Sequence, residues 1–223
     1  MTAEKLNAVK KYLDENLEKS IICSSFLSAA ALIFLTRKSD SDLRFCINYW
    51  ALNIITRKNY YFILFIKETL NQLCKIKIYI KFNVIIIFNQ IHIKKDHEWI
   101  TVFNICYDQF EYLIMSFKLC NALSNFQNYI NETICEYFNM FCLVYLNNVL
   151  IYNDDENKHT NQMLKIFCQL QKQDFHLNID KCEFDSKKIK YLNLIITFDD
   201  VKMNSEKIKA IQNWKISQSI KNI

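Results

Sequence analysis

With 223 residues, 51% of them hydrophobic, and a net charge of +5, the chain can bury a sizeable core and is too apolar to be disordered. The mild charge permits a nucleic-acid partner without requiring one, because Lys and Glu are mixed along most of the sequence. Nine cysteines without C-x-x-C or zinc-type Cys/His spacing exclude a disulfide framework and a zinc module, and point to reduced thiols inside the cell, cytoplasmic or nuclear.

No secretory leader and no membrane span are expected. The one uncharged stretch, Ile21–Leu35, is shorter than the ~20 residues of a spanning helix and is interrupted by Ser24, Ser25 and Ser28. Gly and Pro are both absent, where ordinary usage would supply about 25 of them. No fold selects for that, since turns use Gly for positive φ and Pro for a fixed one. Asn, Ile, Lys, Phe and Tyr are plentiful while Ala and Arg are sparse, the mark of an AT-biased genome or of accumulated C-to-T and G-to-A change.

In chain order, Ala3–Lys19 is expected as a helix, with Leu6, Val9, Leu13 and Leu17 on one face. Leu32–Leu35 and Leu43–Ile47 read as strands joined by the charged turn Arg37–Asp42. A short helix at Ile66–Leu73 precedes a β-branched strand at Ile76–Phe82, and further strands follow at Ile91–Ile93, Trp99–Phe103 and Phe110–Met115. Asn121–Phe138 is amphipathic, with Phe126, Tyr129, Ile130, Thr133, Ile134 and Tyr137 as its buried stripe. The apolar runs Phe141–Val144 and Val149–Tyr152 flank Tyr145-Leu146-Asn147-Asn148 and read as a hairpin, with Asn supplying the positive φ of the turn. His159–Phe175 is a long helix, Ile189–Ile196 a strand, and Asn204–Trp214 a last helix capped by Asn204 or Ser205. Strands interleaved with helices and hairpins give an α+β fold.

Ordered boxes along the chain resemble the reverse transcriptase of gypsy-type LTR retrotransposons. Leu43-Arg44-Phe45-Cys46-Ile47-Asn48-Tyr49-Trp50-Ala51-Leu52-Asn53 is similar to L-R-x-C-V-D-Y-R-x-L-N, and Tyr79-Ile80-Lys81-Phe82-Asn83 to F-T-K-L-D. Trp99–Phe103 is similar to W-K-T-A-F, Phe110–Leu119 to F-E-Y-L-V-M-P-F-G-L, and Asn121-Ala122-Leu123 to N-A-P. The hairpin turn resembles the Tyr-X-Asp-Asp box. Downstream, Lys181-Cys182-Glu183-Phe184 resembles K-C-E-F, Tyr191-Leu192-Asn193 resembles F-L-G, and Met203–Trp214 resembles M-D-P-E-K-V-x-A-I-x-x-W. Together they run from about Ala8 to the last residue. The resemblance implies polymerase fingers and palm over residues 1–203, an antiparallel palm sheet backed by helices, and the start of a thumb over 204–223.

The departures share one direction. Pro of the pattern stands as Ser116, Leu123, Ser205 and Ser217, and Gly as Asp108, Lys118, Asp174 and Asn193. Asp stands as Asn48, Asn83, Asn147, Asn148 and Asn204, and Arg as Trp50. Most are one or two C-to-T or G-to-A steps, so a hypermutated, degenerate copy is the simplest account.

The resemblance places the three catalytic carboxylates at Asn83, Asn147 and Asn148. Such a polymerase uses two Mg²⁺ ions held by charged oxygens, and neutral amides there leave the ions lost or very weakly held. By the same pattern Arg44, and with it Arg37, contacts the triphosphate; Phe88 stands beneath the sugar and Phe117 beside the base. The partners implied are an RNA or DNA template–primer and a dNTP. Two other readings remain: a non-catalytic module that binds nucleic acid or nucleotide, and an active enzyme with ligands drawn from Asp96, Asp154 or Asp155, the last two placed beyond the hairpin strand. Lys118 and Asp174, at Gly positions of the pattern, are expected to strain a left-handed backbone.

Overall fold

The structure, a computed structural model, describes residues 3–37, 43–61, 73, 76–85, 91–106 and 108–214. The chain divides into unit 1, Met1–Phe62 with Ile86–Ile130, and unit 2, Ile63–Ile85 with Asn131–Ile223. The fold is α+β, with helices and with sheets that are antiparallel except where Ala31 and Leu32 pair in parallel with Phe103 and Asn104.

Unit 1 starts with α1 (Ala3–Glu18), whose Val9 and Leu13 are buried at helical spacing. The helix stops at Ser20, which takes φ 52° while Ile21 N donates to Asn16 O and Ser20 N to Leu17 O, a Schellman closure made without glycine. β1 (Ile22–Ser24), β2 (Ala31–Arg37), β3 (Leu43–Ile47), β5 (Phe103–Asn104) and β6 (Gln109–Tyr112) form a sheet ordered β1-β6-β5-β2-β3. Val9 and Leu13 share a core with Ile22, Ile47, Phe103 and Tyr112. Tyr12 stacks on Phe45 with ring centroids 4.2 Å apart. Its hydroxyl meets that of Tyr112 at 2.5 Å, and burial pushes the Tyr112 phenol far above the ordinary range.

A short helix, α2 (Trp50–Ile55), buries none of its side chains. Asparagine amides fasten the chain around it. Asn53 Nδ2 donates to Lys118 O at 2.9 Å, and Cys120 N donates to Asn53 Oδ1 at 2.8 Å. Asn121 Nδ2 donates to Arg57 O at 3.0 Å, and Asn59 N returns a bond to Asn121 Oδ1 at 2.9 Å. The helix α3 (Ala122–Thr133) follows, with Phe126 and Ile130 buried.

Unit 2 is built on β4 (Ile78–Ile85), which pairs with β8 (Asn148–Asn153) on one side and β10 (Glu183–Ser186) on the other, while β7 (Cys142–Tyr145) extends the sheet beyond β8. β9 (His176–Leu177) pairs with the end of β4. A central strand must be apolar on both faces, and Ile78, Tyr79, Ile80, Phe82 and Val84 are all buried. Tyr79, Leu150 and Tyr152 form one core with Ile189, Tyr191 and Ile196, carried by a second sheet of β11 (Lys188–Tyr191), β12 (Leu194–Thr197) and β13 (Val201–Met203). α4 (Glu156–Lys172) packs on β8 and begins at the N-cap Asp155, whose side chain accepts from Asn157 N. α5 (Ser205–Gln212) is capped by Asn204, which accepts from Glu206 N at 3.2 Å.

Several sequence expectations are corrected. Trp99–Phe103 is not a strand: Glu98–Thr101 is a 3₁₀ turn, held by Thr101 Oγ1 donating to Glu98 O at 2.7 Å, and only Phe103–Asn104 is extended. Ile91–Ile93 reduces to an isolated bridge, His92↔Ile114. The helix expected to Phe138 ends at Thr133. Ile189–Ile196 is two strands, turned at Leu192 and Asn193 with φ 50° and 63°, the two positive values of a type I′ hairpin. Lys118 has a negative φ, because Leu119 N donates to Ser116 O and closes a turn that any residue tolerates at that place. Asp174 does lie in the left-handed region, at φ 52°. The helix expected at Ile66–Leu73 falls outside the described residues except for Leu73. Among the described residues no helix is long and apolar enough to cross a membrane.

Candidate active site

The hairpin that carries Asn147 and Asn148 is fixed by buried apolar strands. Cys142, Leu143 and Val144 of β7 and Val149, Leu150 and Ile151 of β8 are fully buried, so close packing on both faces of the strands holds the hairpin in place. Tyr145 pairs with Asn148, leaving Leu146 and Asn147 as the two-residue loop. The positive φ, 52°, falls on Leu146 and on neither asparagine, which corrects the expectation that Asn supplies it. A left-handed non-glycine residue costs roughly 1–2 kcal/mol, and the packed strands on either side hold it there.

β4 brings Asn83 to the same place. Its register with β8 puts Asn83 directly opposite Asn148, so the two side chains leave the same face of the sheet. Asn83 Nδ2 donates to Asn148 Oδ1 at 3.3 Å, and Asn148 Nδ2 donates to Asn147 Oδ1 at 3.0 Å. Val84 N donates to Asn147 O at 2.8 Å, tying the turn to the end of β4. All three asparagines are half-buried.

The other edge of Asn83 is held by residues that the sequence reading had not given a role. Asn178 N donates to Asn83 O at 2.8 Å, Asn83 N to Cys182 Sγ at 3.4 Å, and Cys182 Sγ to Asn178 O at 3.2 Å. The Lys181-Cys182-Glu183-Phe184 box was the only signal for this wall. Two residues back along β4, Lys81 is paired with Glu183, and Lys81 Nζ also donates to Lys190 O at 3.2 Å.

The donor set does not fit two Mg²⁺ ions. These want charged oxygens in an octahedron, and three amides bring no charge and already bond one another. Among the described residues no group of three His, Cys, Asp or Glu could hold a metal ion. Asp154 and Asp155 follow the end of β8 at Asn153, which at ~3.3 Å per residue already lies roughly 17 Å from Asn148. Asp155 is occupied as the cap of α4 and by Lys158 Nζ at 3.5 Å. Asp96 belongs to unit 1, in a turn at φ 67°.

The residues expected around a nucleotide belong to unit 1, apart from Phe88, which lies outside the described residues. Arg37 and Arg44 are diagonal neighbours on β2 and β3, where Arg37 pairs with Leu43 and Arg44 with Thr36. Phe117 is 56% exposed and lines a pocket of about 400 Å³ with Tyr12, Phe45, Ile47, Tyr112 and Lys118. Lys118 Nζ stands 5.8 Å from the Phe117 ring centroid.

Comparison with known proteins agrees with this arrangement of strands. A family model described as "Reverse transcriptase (RNA-dependent DNA polymerase)" matches residues 36–196. The chain is 33% identical over 180 residues to the Retrovirus-related Pol polyprotein from transposon 297 of Drosophila melanogaster, covering 81% of this chain and 17% of that protein. It is 26% identical over 220 residues to the corresponding polyprotein from transposon opus of the same fly, covering 96% of this chain and 22% of that protein. The Transposon Tf2-7 polyprotein of Schizosaccharomyces pombe is 25% identical over 211 residues, covering 95% and 16%. The chain thus spans about a fifth of the length of the curated relatives it matches. Among solved structures, the foamy viral protease-reverse transcriptase in complex with RNA/DNA hybrid superposes with a TM-score of 0.86 at 18% identity, covering 99% of this chain and 30% of that one. The same viral protein in complex with dsDNA gives 0.86 at 17%, covering 100% and 46%. This chain belongs to the reverse transcriptase family.

Proposed function

We propose that this chain is a degenerate reverse transcriptase segment of a gypsy-type retrotransposon that no longer polymerises. Residues 1–203 are its fingers and palm and residues 204–223 the start of its thumb. Its ancestor joined a primer 3′-oxygen to the α-phosphorus of a dNTP on an RNA or DNA template. The observation that carries the loss of activity is the set Asn83, Asn147 and Asn148, brought together in one place as neutral amides that bond one another. Two divalent ions held a few Å apart repel each other, and a site without negative charge offers little to offset that repulsion; each 1.4 kcal/mol of lost stabilisation is tenfold in rate. Three missing charges amount to many orders of magnitude.

Binding without chemistry is the second reading. The exposed Phe117 and its pocket support it, because holding a base needs an aromatic face and no metal. Template–primer or dNTP would then bind weakly and without turnover.

The deciding experiment is primer extension of a DNA primer on an RNA template with Mg²⁺ or Mn²⁺. No product is expected from the purified chain. Robust extension that Asn147→Ala abolishes would overturn the inactive reading and show that amides can hold the ions.

A further inference from the structure

Two carboxylates at positions 83 and 148 would stand directly opposite each other across β4 and β8, with no donor between them. Like charges so placed resist ionising together, and a divalent cation is what relieves them. This chain solves the same contact differently. Asn83 donates to Asn148 and Asn148 donates to Asn147, so each amide nitrogen meets an amide oxygen along the row.

Resting on the reading of these positions as ancestral metal sites, we infer that the amide row is a metal-free cross-link that fastens the end of β4 to the hairpin turn. The change that removes catalysis also removes an electrostatic strain. It leaves a fold whose stability is indifferent to divalent cations. A site built for chemistry is commonly one that weakens its own fold, and here that penalty has been cancelled together with the chemistry. The backbone supports such a link independently, because Val84 N holds Asn147 O and Asn178 N holds Asn83 O.

The geometry also says how much charge the link tolerates. An amide presents either its oxygen or its nitrogen, so the row can run in either direction. One carboxylate at position 148 is accepted by turning Asn147 over so that both neighbours donate to it. Two facing carboxylates leave no donor to share.

Thermal melting of the full chain at about pH 7.5, in EDTA and then in MgCl₂ or MnCl₂, tests this. The parent midpoint is expected to be the same in all three, and Asn148→Asp to stay within about 2 °C of it. The double variant N83D/N148D is expected to melt roughly 4–8 °C lower in EDTA. Its difference from the parent should close in MgCl₂, and also near pH 5 with parent and variant compared at that pH. Should the double variant not fold in EDTA, recovery of its circular dichroism on adding MgCl₂ supports the link, and no recovery overturns it. A parent midpoint that climbs saturably with MgCl₂ would overturn it, as would a double variant that melts with the parent in EDTA. Primer extension stays a separate question: equal melts with no extension would sink the cross-link alone, and extension with unequal melts would sink the inactive reading alone.

Discussion

In unit 1 the amides of Asn53 and Asn121 close on backbone groups, whereas in unit 2 those of Asn83, Asn147 and Asn148 close on one another. Asn53 meets Lys118 O and Cys120 N, and Asn121 meets Arg57 O and Asn59 N, at places where the family pattern itself has Asn. Asn83, Asn147 and Asn148 stand where that pattern has Asp. The two units also differ in backbone strain. Among the described residues, positive φ falls on Asn139, Leu146, Asp174, Asp185, Leu192 and Asn193 in unit 2, and on Ser20 and Asp96 in unit 1. An amide serves wherever a contact needs hydrogen bonds and fails where it needs charge. A side chain with a Cβ serves in an ordinary turn and strains a left-handed one. The departures from the pattern are the same kind of change in both units, and what they disrupt depends on the local physics.

The hardest blow to this contrast would come from restoring charge to unit 2 alone. Returning Asp at positions 83, 147 and 148 together is expected to leave extension below about 10⁻³ s⁻¹, a thousandfold or more under ordinary enzyme turnover. Unit 1 still carries Trp50 in place of an Arg, 73% exposed and with no charge to offer a phosphate. Extension at ordinary rates by the triple variant would place the whole loss in unit 2.

Asn53 sharpens the other side. Asn53→Ala removes a donor and an acceptor at once and is expected to destabilise by about 1–2 kcal/mol in urea denaturation. Asn53→Asp should fall between, since it still accepts from Cys120 N but cannot donate to Lys118 O. Equal loss from both variants would mean that the two bonds do not act separately.

Much of this was legible in the residues. The period of Leu6, Val9 and Leu13 marked α1, and the apolar runs around Asn147 and Asn148 marked the hairpin, because side-chain spacing is what buries a helix or a strand. The ordered boxes singled out Asn83, Asn147 and Asn148, and strand register sets Asn83 against Asn148. What stayed hidden were turns whose usual glycine is missing. Leu192 and Asn193 do not look like a I′ turn, nor does Leu146 look left-handed, because only tertiary packing forces such residues there. The wall made by Asn178 and Cys182 was equally invisible, since its bonds go to the backbone of Asn83 and not to its side chain.

A smaller effect concerns His159, on α4 in unit 2. It is 1% exposed, neither ring nitrogen has a hydrogen-bond partner, and Nε2 lies 3.9 Å from Asp185 Oδ1. Burial lowers its pKa below the ordinary 6.5, with the Asp185 carboxylate pulling the other way. The unfolded chain therefore takes the proton first. Stability is full above about pH 6.5 and is lost as pH falls through the lower folded value. His159→Leu should flatten the fall in urea midpoint between about pH 7.5 and pH 5. An unchanged acid limb would assign that fall to other groups.

The finest comparison sets Asp174 of unit 2 against Lys118 of unit 1, both at glycine positions of the family pattern. Asp174 closes α4: Phe175 N donates to Leu170 O and Asp174 N to Gln171 O, each at 3.0 Å, with φ 52° at Asp174. That is the Schellman arrangement, and Phe175 and Leu170 are both buried beside it. Glycine has no Cβ to crowd a left-handed backbone, so Asp174→Gly should gain about 0.5–1 kcal/mol despite a freer unfolded chain. Lys118 sits in a turn of negative φ closed by Leu119 N on Ser116 O, where a Cβ does no harm. Lys118→Gly relieves nothing there, frees the unfolded chain and gives up the contact of Nζ with Phe117, so it should lose a few tenths of a kcal/mol. Denaturation midpoints of the two variants should move in opposite directions. A rise in both would mean that the Ser116–Leu119 turn is strained after all, and a fall in both would mean that the Asp174 side chain contributes more than its backbone costs.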